Sequence, residues 1–419
     1  MFDARSLATA VAVLSAGWLA CGPSTSQPVR VMALVRGAGA EGAPGGRYQP
    51  TEVQIGSLSD VVTLDGAVAY LVGGAQIYVS SQDPLLSING GVTSDEQLAD
   101  IYIKQDGNPP HASYVEKDGV LWPADFHTWN MVTTYYNVEQ SFLFFQDQGV
   151  DAQVLGRTRV FYFPSFTLAD VSQQEQRDNA LFFAPVKSLL VLPFDKLQEA
   201  PLAMNSSIVA HEYAHVVWNK LVYGGQAVPQ GLTIWAQSGV ATPAANLLKA
   251  LDEGFADFHA LAQSCRTKFG CDTRGAESSF DAATADARDM AKNDKCLDAT
   301  MNNMLAGANI NDFVAGGYHY EVGTVFASAL YHAGNSPDDW ALLSKSLLTV
   351  YPELKAEIDG NLQTPENFTP TKVVDVVLGG VTSTELQTRV CGEFLGRLKI
   401  PREELTHCPA QAQVTGDCP

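Results

Sequence analysis

Apolar and polar positions change rhythm along this chain. From Val53 to about Val120, short apolar runs such as Val61-Val62-Thr63-Leu64 and Ala67-Val68-Ala69-Tyr70-Leu71-Val72 alternate with Gly, Asp and Asn-Gly signals, which predicts a β-rich region. Residues 126–146 (FHTWNMVTTYYNVEQSFLFFQ) set aromatic side chains at helical spacing and predict a buried helix. Strand-like runs follow at 159–163 (RVFYF) and 188–192 (SLLVL), with Asn179-Ala180-Leu181-Phe182-Phe183 between them. Ile208 to Leu221 is apolar nearly all round the helical repeat, the pattern of a helix buried on every side. Asn205, Ser206 and Ser207 are its N-cap candidates and Gly224-Gly225 its stop.

After a Gly/Gln/Pro-containing loop at 224–241, a second helix is predicted, with Thr242 as cap and Pro243 at its first position. Its apolar stripe is Leu247, Leu248, Leu251, Phe255, Phe258 and Leu261. Residues 265–312 read as polar and loop-rich. A third helix runs from Tyr318 to His332 and is stopped by Gly334, and 337–398 reads as helical. No internal repeat is visible. Strands come first and helices afterwards, with one apolar helix at the junction, so the class is α+β. A chain of 419 residues has room for two lobes. They are expected at 51–225, β-rich and ending in the junction helix, and at 226–419, mainly helical.

Charge and the N-terminus narrow the setting. With 46 acidic against 26 basic residues, the formal charge of −20 argues against nucleic acid or an anionic membrane surface as partner. Leu7 to Ala20 is an uncharged apolar run at the extreme N-terminus, the h-region of a signal peptide expected over 1–21. It ends in Gly17-Trp18-Leu19-Ala20-Cys21, which resembles a bacterial lipobox and implies lipidation at Cys21; ordinary secretion with cleavage near Ala20 is the alternative. Residues 22–50 are expected to be a flexible linker, Gly/Pro-rich from 36 to 50. Of seven cysteines, removing Cys21 leaves six, suited to three disulfides in an oxidising compartment. Cys265 with Cys271 or Cys296, and Cys391 with Cys408 or Cys418, are the expected pairings. The expected location is extracytoplasmic, either secreted or held at the cell surface by lipid.

The junction helix carries His211-Glu212-Tyr213-Ala214-His215. Histidines four apart on a helix share a face, so both imidazoles can reach one zinc ion, and the intervening glutamate can act on water at that ion. Chance alone produces such a motif in roughly one chain in a hundred of this length. The bland alternative is a core helix with two hydrogen-bonded histidines. The second helix supplies Asp252-Glu253-Gly254-Phe255-Ala256-Asp257. Glu253 and Asp257 are four apart and share a face; one could complete a His2Glu zinc site and the other accept the free N–H of a ligand histidine. Asp252 competes as a ligand but is expected to point elsewhere on the helix, away from Asp257. Two solvated carboxylates are the bland reading of the same spacing.

Together these residues resemble the gluzincins, the zinc metallopeptidases typified by thermolysin and fungalysin. Their pattern is H-E-x-x-H on one helix and a ligand glutamate on the next within E-x-x-x-D, matched by His211, His215, Glu253 and Asp257. Gly316-Gly317-Tyr318-His319 is similar to their G-G-x-H, which implies that His319 binds the oxyanion. Asn179-Ala180, 32 residues before His211, resembles their N-A-[aromatic] edge strand, which implies pairing with the substrate backbone. Tyr223 is a candidate oxyanion tyrosine, and Asp312 a candidate for orienting His319. The resemblance covers about 120–335 and implies a two-lobed zincin fold with the active-site helix between lobes.

The expected function is a zinc endopeptidase acting on peptide or protein substrates with Glu212 as general base and one Zn2+ as cofactor. Calcium is compatible with this reading, but no residues are assigned to it. The rival is a non-catalytic surface lipoprotein keeping a zinc-stabilised peptidase fold. His111, His127, His259, His332 and His407 are expected in packing or on the surface.

Overall fold

The computed structural model of the chain describes residues 28–37, 47–83, 94–194, 202–236, 240–266, 271–274, 287–416 and 418. The expected signal peptide at 1–21 and lipidated Cys21 lie outside the described residues. The N-terminal region consists of strands β1 (Val29–Gly37), β2 (Arg47–Ile55), β3 (Leu58–Asp60), β4 (Asp65–Gly66), β5 (Ala69–Gly73) and β6 (Gln76–Val79), helix α1 (Asp95–Tyr102), and strands β7 (Ile103–Gln105), β8 (Tyr114–Lys117) and β9 (Val120–Pro123). Helix α2 (Phe126–Asp147), the single turn α3 (Ala152–Leu155) and strands β10 (Thr158–Tyr162), β11 (Ser165–Leu168), β12 (Ala180–Phe183) and β13 (Ser188–Val191) complete it. The α-helices that follow are α4 (Ser206–Leu221), α5 (Gln230–Trp235), α6 (Pro243–Ser264), α7 (Ala299–Gly307), α8 (Ile310–Ala315), α9 (Tyr318–Ala333), α10 (Pro337–Gly360), α11 (Pro370–Gly380) and α12 (Thr384–Arg397). The class is α+β, with a β-rich N-terminal region and a helical C-terminal region.

Among the described residues three sheets form, in the orders β2-β1-β9-β8, β12-β13-β10-β5-β4-β3 and β11-β6-β7. In the largest, β5, β10 and β13 run parallel and β12 closes one edge antiparallel to β13. The first sheet corrects the expectation of a linker over 22–50. Val29 to Gly37 pairs antiparallel with Arg47 to Ile55 throughout. The alternation Val29-Val31-Ala33-Val35 is the reason: Val31 and Ala33 are fully buried, and the Leu34 N–H donates to Thr133 Oγ1 of α2 at 3.0 Å. Two further loops also hold helices, α5 within 224–241 and α7 and α8 within 265–312. Each has a buried anchor, Trp235, Leu305 and Phe313 respectively, in a segment too short to display a periodic stripe.

The helices that matter for chemistry begin with local signals and are then fixed by packing. Asn205 is fully buried, and its Oδ1 accepts the N–H groups of Ser207 and Ile208 at the start of α4. Pro243 occupies the first turn of α6 after Thr242. Helix α4 rests against α2, where Phe145 and Tyr213 stack at 5.9 Å. Its far end is held by Trp218, edge-on to Tyr351 at 5.0 Å and to Phe255 of α6 at 5.9 Å. Three disulfides, Cys265–Cys271, Cys296–Cys418 and Cys391–Cys408, tie the C-terminal region and point to an extracytoplasmic environment. The spacing had not suggested Cys296–Cys418, which spans 122 residues. No helix among the described residues is long and apolar enough to cross a membrane.

Helices α6 and α9 cross at a pair of glycines. A Cβ on Gly254 would stand 2.2 Å from the Gly323 carbonyl oxygen, and one on Gly323 would stand 2.6 Å from the Ala250 carbonyl oxygen. Only two hydrogen side chains allow backbones this close, and the crossing brings the first turn of α9 beside Glu253. Glycine inside a helix ordinarily costs ~1 kcal/mol relative to alanine, so an open site would gain from replacement. Here the sign should reverse. Gly323→Ala is expected to destabilise the protein by about 1–3 kcal/mol through overpacking, read as a lowered midpoint in denaturant unfolding. A stabilised variant would contradict the close crossing.

Candidate metal centre

Helix α4 presents His211 and His215 one turn apart, with their Nε2 atoms 3.0 Å from each other. Helix α6 brings Glu253 Oε2 to 3.3 Å from the Nε2 of His211 and 3.5 Å from that of His215. Donor atoms bonded to one tetrahedral ion at ~2.0–2.1 Å stand about 3.3–3.4 Å apart, so the three atoms already outline one face of such a site. The group His211, His215 and Glu253 could hold a metal ion. His211 and Glu253 are buried, and the His215 side chain is 11% exposed.

The atoms behind these three explain why they converge. Asp252 Oδ1 accepts from His215 Nδ1 at 2.6 Å. Asp257 Oδ1 lies 2.8 Å from His211 Nδ1, within ion-pair distance though not aligned for a hydrogen bond. A carboxylate on each Nδ1 keeps the ring proton there and turns the Nε2 lone pair toward Glu253. Two lone pairs and a carboxylate oxygen then face one another, an arrangement that needs a cation or a proton between them. Asp252 is not one of the three, in keeping with the expectation that it points away from Asp257, but its hold on His215 was not foreseen. His215 approaches α6 from the side that Asp252 faces.

Positive charge encloses the cluster. Lys249 Nζ is 2.6 Å from Glu253 Oε1 and 3.7 Å from Asp252 Oδ2. Arg288 Nη2 sits 2.8 Å from both oxygens of Asp257, with its guanidinium over the Tyr320 ring at 4.2 Å. Four carboxylates (Glu212, Asp252, Glu253 and Asp257) stand against two cations (Lys249 and Arg288), an excess of negative charge that the imidazoles or a bound cation can offset. Burial pulls the His215 imidazole down, but Asp252 and Glu253 override it and hold it well above the usual histidine range. His211 is likewise lowered by burial yet raised overall by Asp257 and Glu253. Burial would raise Glu253; Lys249 and the two histidines hold it well below the usual carboxylate range. Asp257, also opposed by burial, is kept low by Arg288 and His211. Burial raises Glu212 even against the two histidines.

The cluster lines a cleft of about 570 Å³ that also contains Asn179, Ala180, Glu212, Tyr223, His319 and Tyr320. Every residue singled out in the sequence for chemistry, apart from Asp257, Cys21 and Asp312, therefore lines one cavity. Asp257 stands behind His211 instead of lining the cleft. His319 is buried, its Nδ1 has no hydrogen-bond partner, and burial lowers it to about 4, so the ring is neutral. Gly317, at φ 78°, is in the left-handed region and serves as the N-cap of α9, which sets His319 in the first turn facing the metal group. Asp312 does not orient His319. It is exposed at the start of α8, where Oδ2 accepts from Asn309 Nδ2 at 2.6 Å.

Edge strand β12 spends its donors internally. The Asn179 carbonyl accepts the Leu192 N–H, so the alternate residues Ala180 and Phe182 aim their N–H groups away from β13. The Ala180 N–H donates to Asn179 Oδ1 at 2.9 Å, and the Phe182 N–H donates to Glu212 Oε2 at 2.7 Å. Glu212 is thus anchored at one oxygen while its side chain lines the cleft beside the two histidines.

Sequence reasoning missed Lys249, Arg288, Tyr320 and the Phe182 amide. Lys249 stands four residues before Glu253, a helical ion-pair spacing that could have found it. Tyr320 immediately follows His319, and Glu253 is the largest influence raising its hydroxyl. Arg288 comes from an aperiodic stretch that carries no such signal. Of the histidines assigned to packing, His259 fits that reading: it is buried between Ser344 Oγ and Tyr351 OH, and burial lowers it to about 3. No protein-family model matches the chain, and no curated protein matches it.

The group should take up one divalent ion with a rise in melting temperature that a chelator reverses. Asp257→Asn is expected to weaken metal binding ~10–100-fold, measured by competition with a chromophoric chelator. Unchanged affinity would mean that Asp257 does not set the His211 ring.

Proposed function

We propose that this protein is a zinc-dependent endopeptidase of the gluzincin kind, with a two-lobed zincin architecture in which α4 lies between the lobes. The observation that carries the reading is the convergence of His211, His215 and Glu253 in a cleft that also holds Glu212 and His319. His211, His215 and Glu253 are the zinc ligands. Zinc, when bound, supplies the Lewis acidity that brings water toward a pKa of ~7 and polarises a carbonyl.

Glu212 takes a proton from the attacking water and returns it to the departing amine. Its anchor on the Phe182 N–H fixes one carboxylate oxygen and leaves the other for that proton. Neutral His319 donates to the carbonyl oxygen as negative charge grows there. Asp252 and Asp257 hold the ligand rings in register. Asn179 and Ala180, on the free side of β12, receive the substrate as an added strand. The expected partners are peptides or proteins outside the cytoplasm, and the expected precursor is secreted or lipid-anchored through Cys21.

The rival reading, a non-catalytic lipoprotein stabilised by zinc, calls for a fourth protein ligand. Among the described residues the metal group has three members only, which favours catalysis.

Zinc-loaded protein should hydrolyse casein or a quenched peptide, and chelation should stop it. Glu212→Gln should bind zinc as the parent does while hydrolysis falls ~10²–10⁴-fold. His319→Ala should cost ~10²–10³-fold in kcat. Failure of the zinc-loaded parent to cleave any peptide would decide for the non-catalytic reading, and full activity of Glu212→Gln would remove Glu212 from its role.

A further inference from the structure

The cation nearest the ligand set has no part in the chemistry described above. Lys249 precedes Glu253 by one turn of α6, and its ammonium reaches Glu253 Oε1 at 2.6 Å. The imidazoles approach the other oxygen, Oε2. The two oxygens of Glu253 are therefore divided, one toward the histidines and one toward Lys249. The same ammonium is 3.7 Å from Asp252, which in turn holds His215. One side chain, 27% exposed, thus ties down both a ligand and the group orienting a second ligand.

We infer that Lys249 is a positioning residue that restricts Glu253 to coordination through a single oxygen and thereby keeps a place on the ion open for water or substrate. This rests on the metal-site reading. A carboxylate with both oxygens free can chelate a cation through two bonds, which would fill the position a catalytic site must leave vacant. A charge-assisted hydrogen bond to Oε1 competes directly with that second bond. Lys249 also opposes metal binding by charge. Its removal is therefore expected to leave affinity equal or greater while the open position is lost. A side chain that merely supported the fold would do the reverse, weakening binding without changing the coordination.

The test uses Co2+ as a spectroscopic probe and Zn2+ for X-ray absorption, on the parent and on Lys249→Met, which keeps the length of the side chain. The parent should give the strong visible absorption of a four-coordinate cobalt site. Lys249→Met should give the weaker bands of five-coordination, an added oxygen neighbour around Zn2+, and affinity no lower than the parent's. Its kcat for peptide hydrolysis should fall at least ~10-fold with little change in KM, since the position that the reacting oxygen needs on the ion is filled while the remainder of the cleft is untouched. Should Lys249→Met not fold, Lys249→Gln, a weaker neutral donor to Oε1, should shift the spectrum part-way. A parent-like spectrum in a folded, metal-loaded variant overturns the role of Lys249 and leaves the metal site intact. Absence of metal binding by the parent instead overturns the site itself.

Discussion

Three electron-rich atoms directed at a single point inside the protein are the constraint around which this structure is arranged. Two imidazole lone pairs and a carboxylate oxygen repel one another at 3.0–3.5 Å unless something positive stands among them. The chain commits considerable structure to maintaining that arrangement. Asp252 and Asp257 fix the rings, Arg288 holds Asp257, and Lys249 holds Glu253. Removing any one member leaves a buried charge without its counterpart, which costs far more than an exposed ion pair is worth.

The fold delivers these groups on rigid elements. Helix α4 supplies both histidines of the metal group and Glu212, while α6 supplies Glu253 and both ring-holding aspartates. Their relative position is set by aromatic packing of Trp218, near the end of α4 remote from its capped start, against Phe255 and Tyr351. The approach of α9 is set by Gly254 and Gly323, so His319 and Tyr320 reach the cleft from a helix of their own.

What could be read in the sequence follows the range over which each signal acts. His211, Glu212 and His215 were legible because helical spacing alone puts them together, and the same holds for Glu253 with Asp257. The α2 helix was legible from its aromatics. The direction of Asp252 away from Asp257 was legible from helical spacing, but its contact with His215 was not, since that partner arrives from α4. Arg288 could not be seen, since its pairing with Asp257 joins residues 31 apart with no helical or strand spacing between them. The Gly/Pro composition of 36–50 concealed β1 and β2, which pair with each other on either side of that stretch. The edge strand was recognised by Asn179-Ala180, but nothing local revealed that the Phe182 amide would be taken by a side chain from another element.

That last bond bears on how the molecule behaves among its own copies. The rim of an open sheet is a template on which a second chain can stack, and proteins blunt such rims in various ways. Here Asn179 and Glu212 consume the outward N–H groups of Ala180 and Phe182. Two molecules meeting rim to rim would thus bring carbonyl against carbonyl along this strand, with no proton to share. A strand from elsewhere could still donate its own amide protons to the outward carbonyls of this rim, so the rim is closed as a donor and open only as an acceptor.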